Sequence, residues 1–351
     1  MAGAELGTHF MAKAMAKKGH EVHVVITRPL LPRVKEVRDG YTIHWLNYFN
    51  IKGFRFFSEL RAAMKTLLEI KPDLVHGNCL LPGGYVAAQY AKRYNCASIL
   101  LCYGYDVSDM SRIQSYFGKK ALREVDMACA ASHFVEGKMK HWVDSREYKI
   151  FYAGFDDENI PHQPLFQHQE SYQLLFIGRM IPEKGFDFLL KVMQVLPEKY
   201  QLSVIGKGDL FEDYKEQVES TNLNKRVSFL GTILNQNIKN YLQKSHALVL
   251  PSRREPFGVV CIEAIASGVP VVCSNVMGLP EAVQNGDNGY VLDPNDINAW
   301  ASSIQNVCES ESLRQSIYEN SKVYRKKWQW STRCDELERL YRDLTLKKAH
   351  E

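Results

Sequence analysis

Short apolar runs separated by helix-period stretches recur along the whole chain. Val22 to Thr27, Tyr41 to Leu46, Leu74 to His76, Ser98 to Cys102, Met127 to Ala131 and Tyr148 to Tyr152 each read as a buried strand. Helices are predicted before the first of these, to about Lys18, over residues 56–70, and from the Pro82-Gly83-Gly84 break onward. A second alternation starts at Gln173. Its strands are Leu174–Ile177, Gln201–Ile205, Val227–Leu230, Ala247–Leu250, 270–273 and Gly289–Leu292. Its helices run to about Leu196, near 211–220, over 235–244, and up to Gly268. Strands alternating with helices predict an α/β protein with parallel sheets covered on both faces. Functional loops then lie beyond the strand C-termini.

Residues 157–172 are polar, contain two prolines and lack periodicity, which marks a linker. The expected organisation is two doubly wound, Rossmann-like domains facing a cleft, residues 1–165 and 166–325. Residues 326–351 add a closing helix whose Leu337, Leu340, Tyr341 and Leu344 share a face. The chain opens on a glycine turn and a helix, in the middle of a β-α-β unit. The central first strand of the N-terminal domain, with its lead-in about a dozen residues, is therefore expected to be missing.

Composition narrows the class. At 351 residues, 45% hydrophobic and 24% charged, the chain matches an ordinary globular protein large enough for two cores. No run approaches the roughly 18 apolar residues of a membrane span. Lys13, Lys17 and Lys18 interrupt any signal-peptide pattern. The eight cysteines show no C-x-x-C spacing and lie mostly in apolar runs, as buried thiols of a reducing compartment do, so a cytoplasmic location is expected. A net charge of +4 is too mild to argue for nucleic acid. The charge is uneven, with 22 Lys and Arg against 17 Asp and Glu in residues 1–165. The helix at 56–70 sets Arg55, Arg61 and Lys65 beside Phe54, Phe56 and Phe57. Such a helix can lie peripherally on a membrane inner face; core packing with a solvated face is the other reading.

Candidate chemistry concentrates at 251–270, PSRREPFGVVCIEAIASGVP. A strand ends at Pro251, Glu255 precedes a helix start at Phe257-Gly258, and Glu263 lies on that helix. The unpaired N–H groups of such a helix start favour an anion. Two carboxylates beside an anion are best aimed at hydroxyls, and an anion flanked by polyols is a nucleotide sugar. Arg179 and Lys184 share a loop and can grip a leaving diphosphate without a metal; two surface cations is the plain alternative. Gly206-Lys207-Gly208 is a weak glycine signal.

Gly178-Arg179…Lys184-Gly185, Gly206-x-Gly208, Phe229-Leu230-Gly231 and Pro251-Ser252-x-x-Glu255-x-Phe257-Gly258…Glu263-Ala264…Gly268-x-Pro270 together resemble retaining glycosyltransferases of the GT-B fold, within the large fourth family. Gly278-x-Pro280-Glu281 and Gly289 extend the likeness, and Gly3-Ala4-Glu5, Gly19-His20-Glu21-Val22, Gly104-x-Asp106 and Gly154-x-Asp156 carry it more thinly over the first half. The resemblance implies that Arg179 and Lys184 bind the donor diphosphate, Glu263 the ribose, and Glu255 the sugar hydroxyls near the reacting carbon. It also implies that Gly178, Gly206 and the Phe257, Gly258, Val259 and Val260 backbone line the donor, that Thr232 and Ile233 border the base, that Gly3, Tyr103 and Asp106 lie on the acceptor or sugar side, and that the closing helix at Trp330 packs back on the N-terminal domain. The donor is expected to be a UDP- or GDP-sugar and the acceptor a saccharide or lipid-linked saccharide, with no metal or cofactor. Tyr103 departs from the family's His, and tyrosine cannot carry a proton near neutral pH. Ala153 replaces an Asn. Two rivals are a nucleotide-sugar binder with weak or no turnover, and an NAD-dependent oxidoreductase. The second lacks the full G-x-G-x-x-G fingerprint.

Overall fold

The computed structural model describes residues 3–29, 34–48, 55–108, 110–156 and 170–350. Most of the expected linker, at 157–169, and Phe54 lie outside the described residues. The chain forms two units, Met1–Gly154 with Trp330–Glu351, and Phe155–Gln329.

In the first unit a helix Gly3–Lys17 (α1) leads into strand His23–Pro29 (β1) and a hairpin of Val34–Arg38 (β2) and Tyr41–Tyr48 (β3). β1 runs parallel to β3, but β2 is antiparallel, turned by Asp39 and Gly40 at φ 49° and 85°. Two successive positive φ values at Asp-Gly are those of a tight hairpin turn. This antiparallel strand departs from the all-parallel expectation. Helix Arg55–Ile70 (α2), strand Leu74–Asn78 (β4), helix Tyr85–Tyr94 (α3), strand Ala97–Cys102 (β5), helix Arg112–Glu124 (α4), strand Met127–Ala130 (β6), helix His133–Trp142 (α5) and strand Lys149–Ile150 (β7) follow. The second sheet of this unit is parallel, in the order β4-β5-β6-β7. No described strand joins β1 to β4, so the unit's strands lie in two separate sheets.

The second unit holds one six-stranded sheet. Its strands are Tyr172–Ile177 (β8), Tyr200–Ile205 (β9), Val227–Gly231 (β10), Ala247–Leu250 (β11), Val271–Ser274 (β12) and Gly289–Leu292 (β13). Its helices are Phe186–Val195 (α6), Phe211–Ser220 (α7), Asn235–Leu242 (α8), Val259–Ala266 (α9), Leu279–Ala282 (α10), Ile297–Glu309 (α11) and Glu311–Trp328 (α12). All pairings are parallel and the order is β10-β9-β8-β11-β12-β13. Counted within the unit this is 3-2-1-4-5-6, the doubly wound order of dinucleotide-binding sheets. Every residue of β11 and β12 is buried, as expected of central strands covered on both faces.

The closing helix Trp330–His350 (α13) belongs to the first unit. Its Trp330, Cys334, Leu337 and Leu344 pack with Met11 and Met15 of α1 over Ala97, Ile99 and Leu101 of β5. The alternate β5 residues Leu100 and Cys102 face Leu122, Val135 and Met139 instead. All eight cysteines are free, and all but Cys79 are buried. Among the described residues no helix is long and apolar enough to cross a membrane.

Candidate active site

In the second unit the strand order reverses between β8 and β11, and ligands of such sheets bind beyond the strand ends at that point. The loops leaving these two strands carry the cations and acids singled out by sequence. After β8, Pro182–Lys184 makes a single 3-10 turn with proline at its start. Gly185 ends the turn at φ +67°, and a Cβ there would stand 2.0 Å from the Pro251 carbonyl oxygen. The two loops therefore lie backbone against backbone, which only glycine permits. Lys184 Nζ donates to Glu255 Oε2 at 2.5 Å, with both side chains largely buried. Arg179, on the same loop as Lys184, is exposed.

Glu255 is held from its other side as well. The Gly278 N–H donates to the Glu255 carbonyl at 3.2 Å, and Gly278 packs so tightly on Pro256 that a Cβ would fall 1.9 Å from its carbonyl oxygen. Phe257 is buried, and Gly258 precedes α9 at φ 88° with Leu279 pressed against it. Val259 and Val260, partly exposed, open the helix with first-turn N–H groups directed beyond β11. The other end of α9 is capped by Arg325, whose Nε and Nη2 donate to the Ala266 carbonyl at 2.9 and 2.7 Å. Glu263 lies one turn into α9. Burial, and secondarily the charge of Asp156, push its carboxyl up to about 7.

The glycines have a use the pattern did not announce. A Cβ on Gly206 would come 1.8 Å from the Gly178 carbonyl oxygen, and one on Gly208 would come 2.5 Å from that of Met180. These residues let the loops after β8 and β9 touch. Thr232, exposed, and Ile233, half-buried, follow β10 at the edge of the sheet, two strands from β8.

Gly3, Tyr103 and Asp106 belong to the first unit. Gly3 begins α1. Tyr103 Oη donates to Asn78 Oδ1 at 2.6 Å, and Asn78 Nδ2 in turn donates to Thr8 on α1. Gly7 of α1 lies beside the phenol, where even a Cβ would make only ordinary contact, 3.7 Å from Tyr103 Oη. Burial, with Asp106 next, pushes the phenol well above its ordinary pKa. Asp106 turns its carboxylate onto backbone, accepting from Leu80, Tyr103 and Gly104 N–H at 2.9, 2.9 and 2.8 Å. It builds the loop that carries Tyr103. Sequence reasoning left four neighbours of these residues unassigned: Arg253, which donates to the Pro182 carbonyl and to the Asp187 carboxylate, Asp187 itself, Asp156, whose charge acts on Glu263, and Asn78, which accepts from Tyr103. An Arg two positions before Glu255 and an Asp three past Lys184 were visible there, but not their pairing.

The sequence pattern described as Glycosyl transferases group 1 matches residues 157–324, and that described as Glycosyltransferase Family 4 matches residues 1–159. The chain belongs to the group 1 glycosyltransferases. An uncharacterized glycosyltransferase of Methanocaldococcus jannaschii is 28% identical over 306 residues, covering 85% of this chain and 84% of the relative. Sucrose-phosphate synthase from Thermosynechococcus elongatus superposes with a TM-score of 0.86 at 23% identity, covering 99% of this chain and 94% of that one. HepE of Anabaena, solved with UDP-glucose, superposes at 0.79 with 18% identity, covering 98% and 97%. The glycosyltransferase has the GT-B fold, and it transfers a sugar from a nucleotide sugar.

Proposed function

We propose that this glycosyltransferase moves a hexose with retention of configuration from a UDP- or GDP-sugar to a saccharide or lipid-linked saccharide. The observation that carries the reading is the Lys184–Glu255 pair at the strand-order reversal. In the ligand-free protein the two side chains neutralise one another. A donor diphosphate takes Lys184 from Glu255, and the freed carboxylate accepts the sugar hydroxyls next to the reacting carbon. Lys184, Arg179 and the first-turn N–H groups of α9 meet the charge that develops on the departing diphosphate, which lets transfer proceed without a metal. The acceptor attacks from the face the diphosphate leaves, and a phosphate oxygen takes its proton. Glu263 receives the ribose hydroxyls. HepE was crystallised with UDP-glucose, so UDP-sugars are the first donors to test.

Tyr103 is the residue on which turnover depends in the first unit. Its hydroxyl proton is committed to Asn78, so it offers a ligand an acceptor oxygen rather than a donor. This observation favours the second reading, a nucleotide-sugar binder with little turnover. Calorimetry with UDP and GDP, followed by transfer assays with EDTA present and NMR of the product anomer, separates the two. Wild type is expected to bind one diphosphate and to give the donor's own anomer. Lys184→Ala and Glu255→Gln are each expected to lose transfer by at least about a hundredfold. Inverted product, or full turnover in either variant, overturns the proposal. A peripheral membrane contact through α2 is part of the same reading; its Phe57 is exposed beside Arg61 and Lys65.

A further inference from the structure

The Lys184–Glu255 pair joins the loops that leave β8 and β11, and a further set of contacts fixes how they meet. The Arg253 and Arg254 N–H groups both donate to the Glu183 carbonyl, at 2.8 and 3.2 Å. Arg253 Nη1 donates to the Pro182 carbonyl at 2.7 Å. The same guanidinium forms a two-pronged pair with Asp187 in the first turn of α6, Nη1 to Oδ1 at 2.8 Å and Nη2 to Oδ2 at 2.7 Å. Arg253 thus holds the turn carrying Lys184 at both of its ends, on Pro182 before it and on Asp187 after it. Hydrogen bonds from Arg253 keep the Asp187 carboxyl below its ordinary range, so the fork stays charged at neutral pH.

A solvent-exposed arginine–aspartate pair adds only modestly to stability, even when it is two-pronged. What it can supply is placement. A planar guanidinium sets two bonds to a carboxylate and one to a carbonyl in a single orientation, whereas an ammonium leaves the turn free to tilt. We infer that Arg253 is a positioning residue for the donor site, bracing the Pro182–Lys184 turn so that the Lys184 ammonium stands where the donor diphosphate arrives. The inference rests on the donor-site reading above, and the experiment separates the two.

UDP and GDP are titrated calorimetrically into wild type, Arg253→Ala, Arg253→Lys, Asp187→Asn, Lys184→Ala and the Arg253→Ala/Lys184→Ala double variant, with thermal unfolding of each. Affinity for the diphosphate that wild type binds is expected to fall about tenfold in each of the first three variants, the scale of a small misplacement of one charged group. Lysine does not rescue, and the unfolding midpoint stays near wild type. In the Lys184→Ala background the Arg253→Ala change costs nothing further, because the residue acts through Lys184. Asp187→Asn keeps side-chain volume and carries the test if Arg253→Ala fails to fold. Wild-type affinity in Asp187→Asn, restoration by lysine, or an additive loss in the double variant overturns the brace. If Lys184→Ala binds as wild type does, or wild type binds neither diphosphate, the donor-site reading itself falls. A loss in Lys184→Ala without one in the Arg253 variants sinks the brace alone.

Discussion

Glu263 and Lys184 were both visible in the sequence as chemistry-bearing residues, one on a helix and one on a loop, yet their surroundings were not. A pattern of letters gives neither burial nor the approach of Asp156, and these two set the Glu263 carboxyl to about 7. Its folded pKa lies above the ordinary value of 4.5, so the native protein binds the extra proton between those values. The stability this proton contributes is present at low pH and lost as pH rises through 7, on the order of 3 kcal/mol. A carboxylate accepts two ribose hydroxyls better than a neutral acid, so affinity should move the other way. The expected outcome is that a nucleotide sugar, whose diphosphate does not titrate in this range, binds more tightly from pH 6 to pH 8 while urea stability declines. Glu263→Gln should flatten both profiles. A wild-type affinity independent of pH would contradict the assigned role. The Lys184–Glu255 contact was equally hidden, since the two residues stand on separate βα units and their meeting follows from strand order.

Helices and strands with one clean face were legible, and elements whose signal lay in their ends were not. The helix α4 carries its cue at its start: Ser111 accepts from the Gln114 N–H while the Gln114 side chain accepts from the Ser111 N–H. Similarly, β2 reads poorly because Val34 and Val37 are exposed on an edge strand, and only the Asp39-Gly40 turn announces it. Loop glycines carry the same lesson at Gly185, which in the sequence is only one letter of a motif and in the structure is where loop meets loop. Gly185→Ala adds left-handed strain and a collision with the backbone of Pro251, and should destabilise by about 2–4 kcal/mol. Gly286, at φ +76° with nothing within 4 Å, is the control; its alanine variant meets backbone strain alone, about 1 kcal/mol. Urea midpoints measure the difference. Equal losses at the two sites would mean that the loops can separate freely.

At the scale of the molecule, the two-fold α/β repeat was plain from alternation, whereas the return of the tail to the first unit was legible only through the family resemblance, because one amphipathic helix suits many docking faces. The first unit also carries an apolar patch the periodicity did not reveal. Exposed Phe57 of α2 and Tyr116 of α4 both pack against Phe117, with Ile113 exposed nearby on α4. Arg112 and Lys119 lie on the same helix as Tyr116, and Arg61 and Lys65 on that of Phe57. Sedimentation with vesicles containing anionic lipid is expected to retain the protein at low salt and release it at high salt. Phe57→Ser/Tyr116→Ser should weaken retention about tenfold, and equal binding to neutral vesicles would refute the contact. The closing helix has another consequence, in time rather than space. The second unit leaves the ribosome as one uninterrupted stretch and can fold as soon as it emerges. Residues 1–154 are made before it but must wait for Trp330, Cys334 and Leu337, synthesised after the whole second unit, to cover Met11, Met15 and Phe151. Of the two units, the one begun earlier is completed later, and its apolar face over Met11, Met15 and Phe151 stays uncovered for the time it takes to make the other.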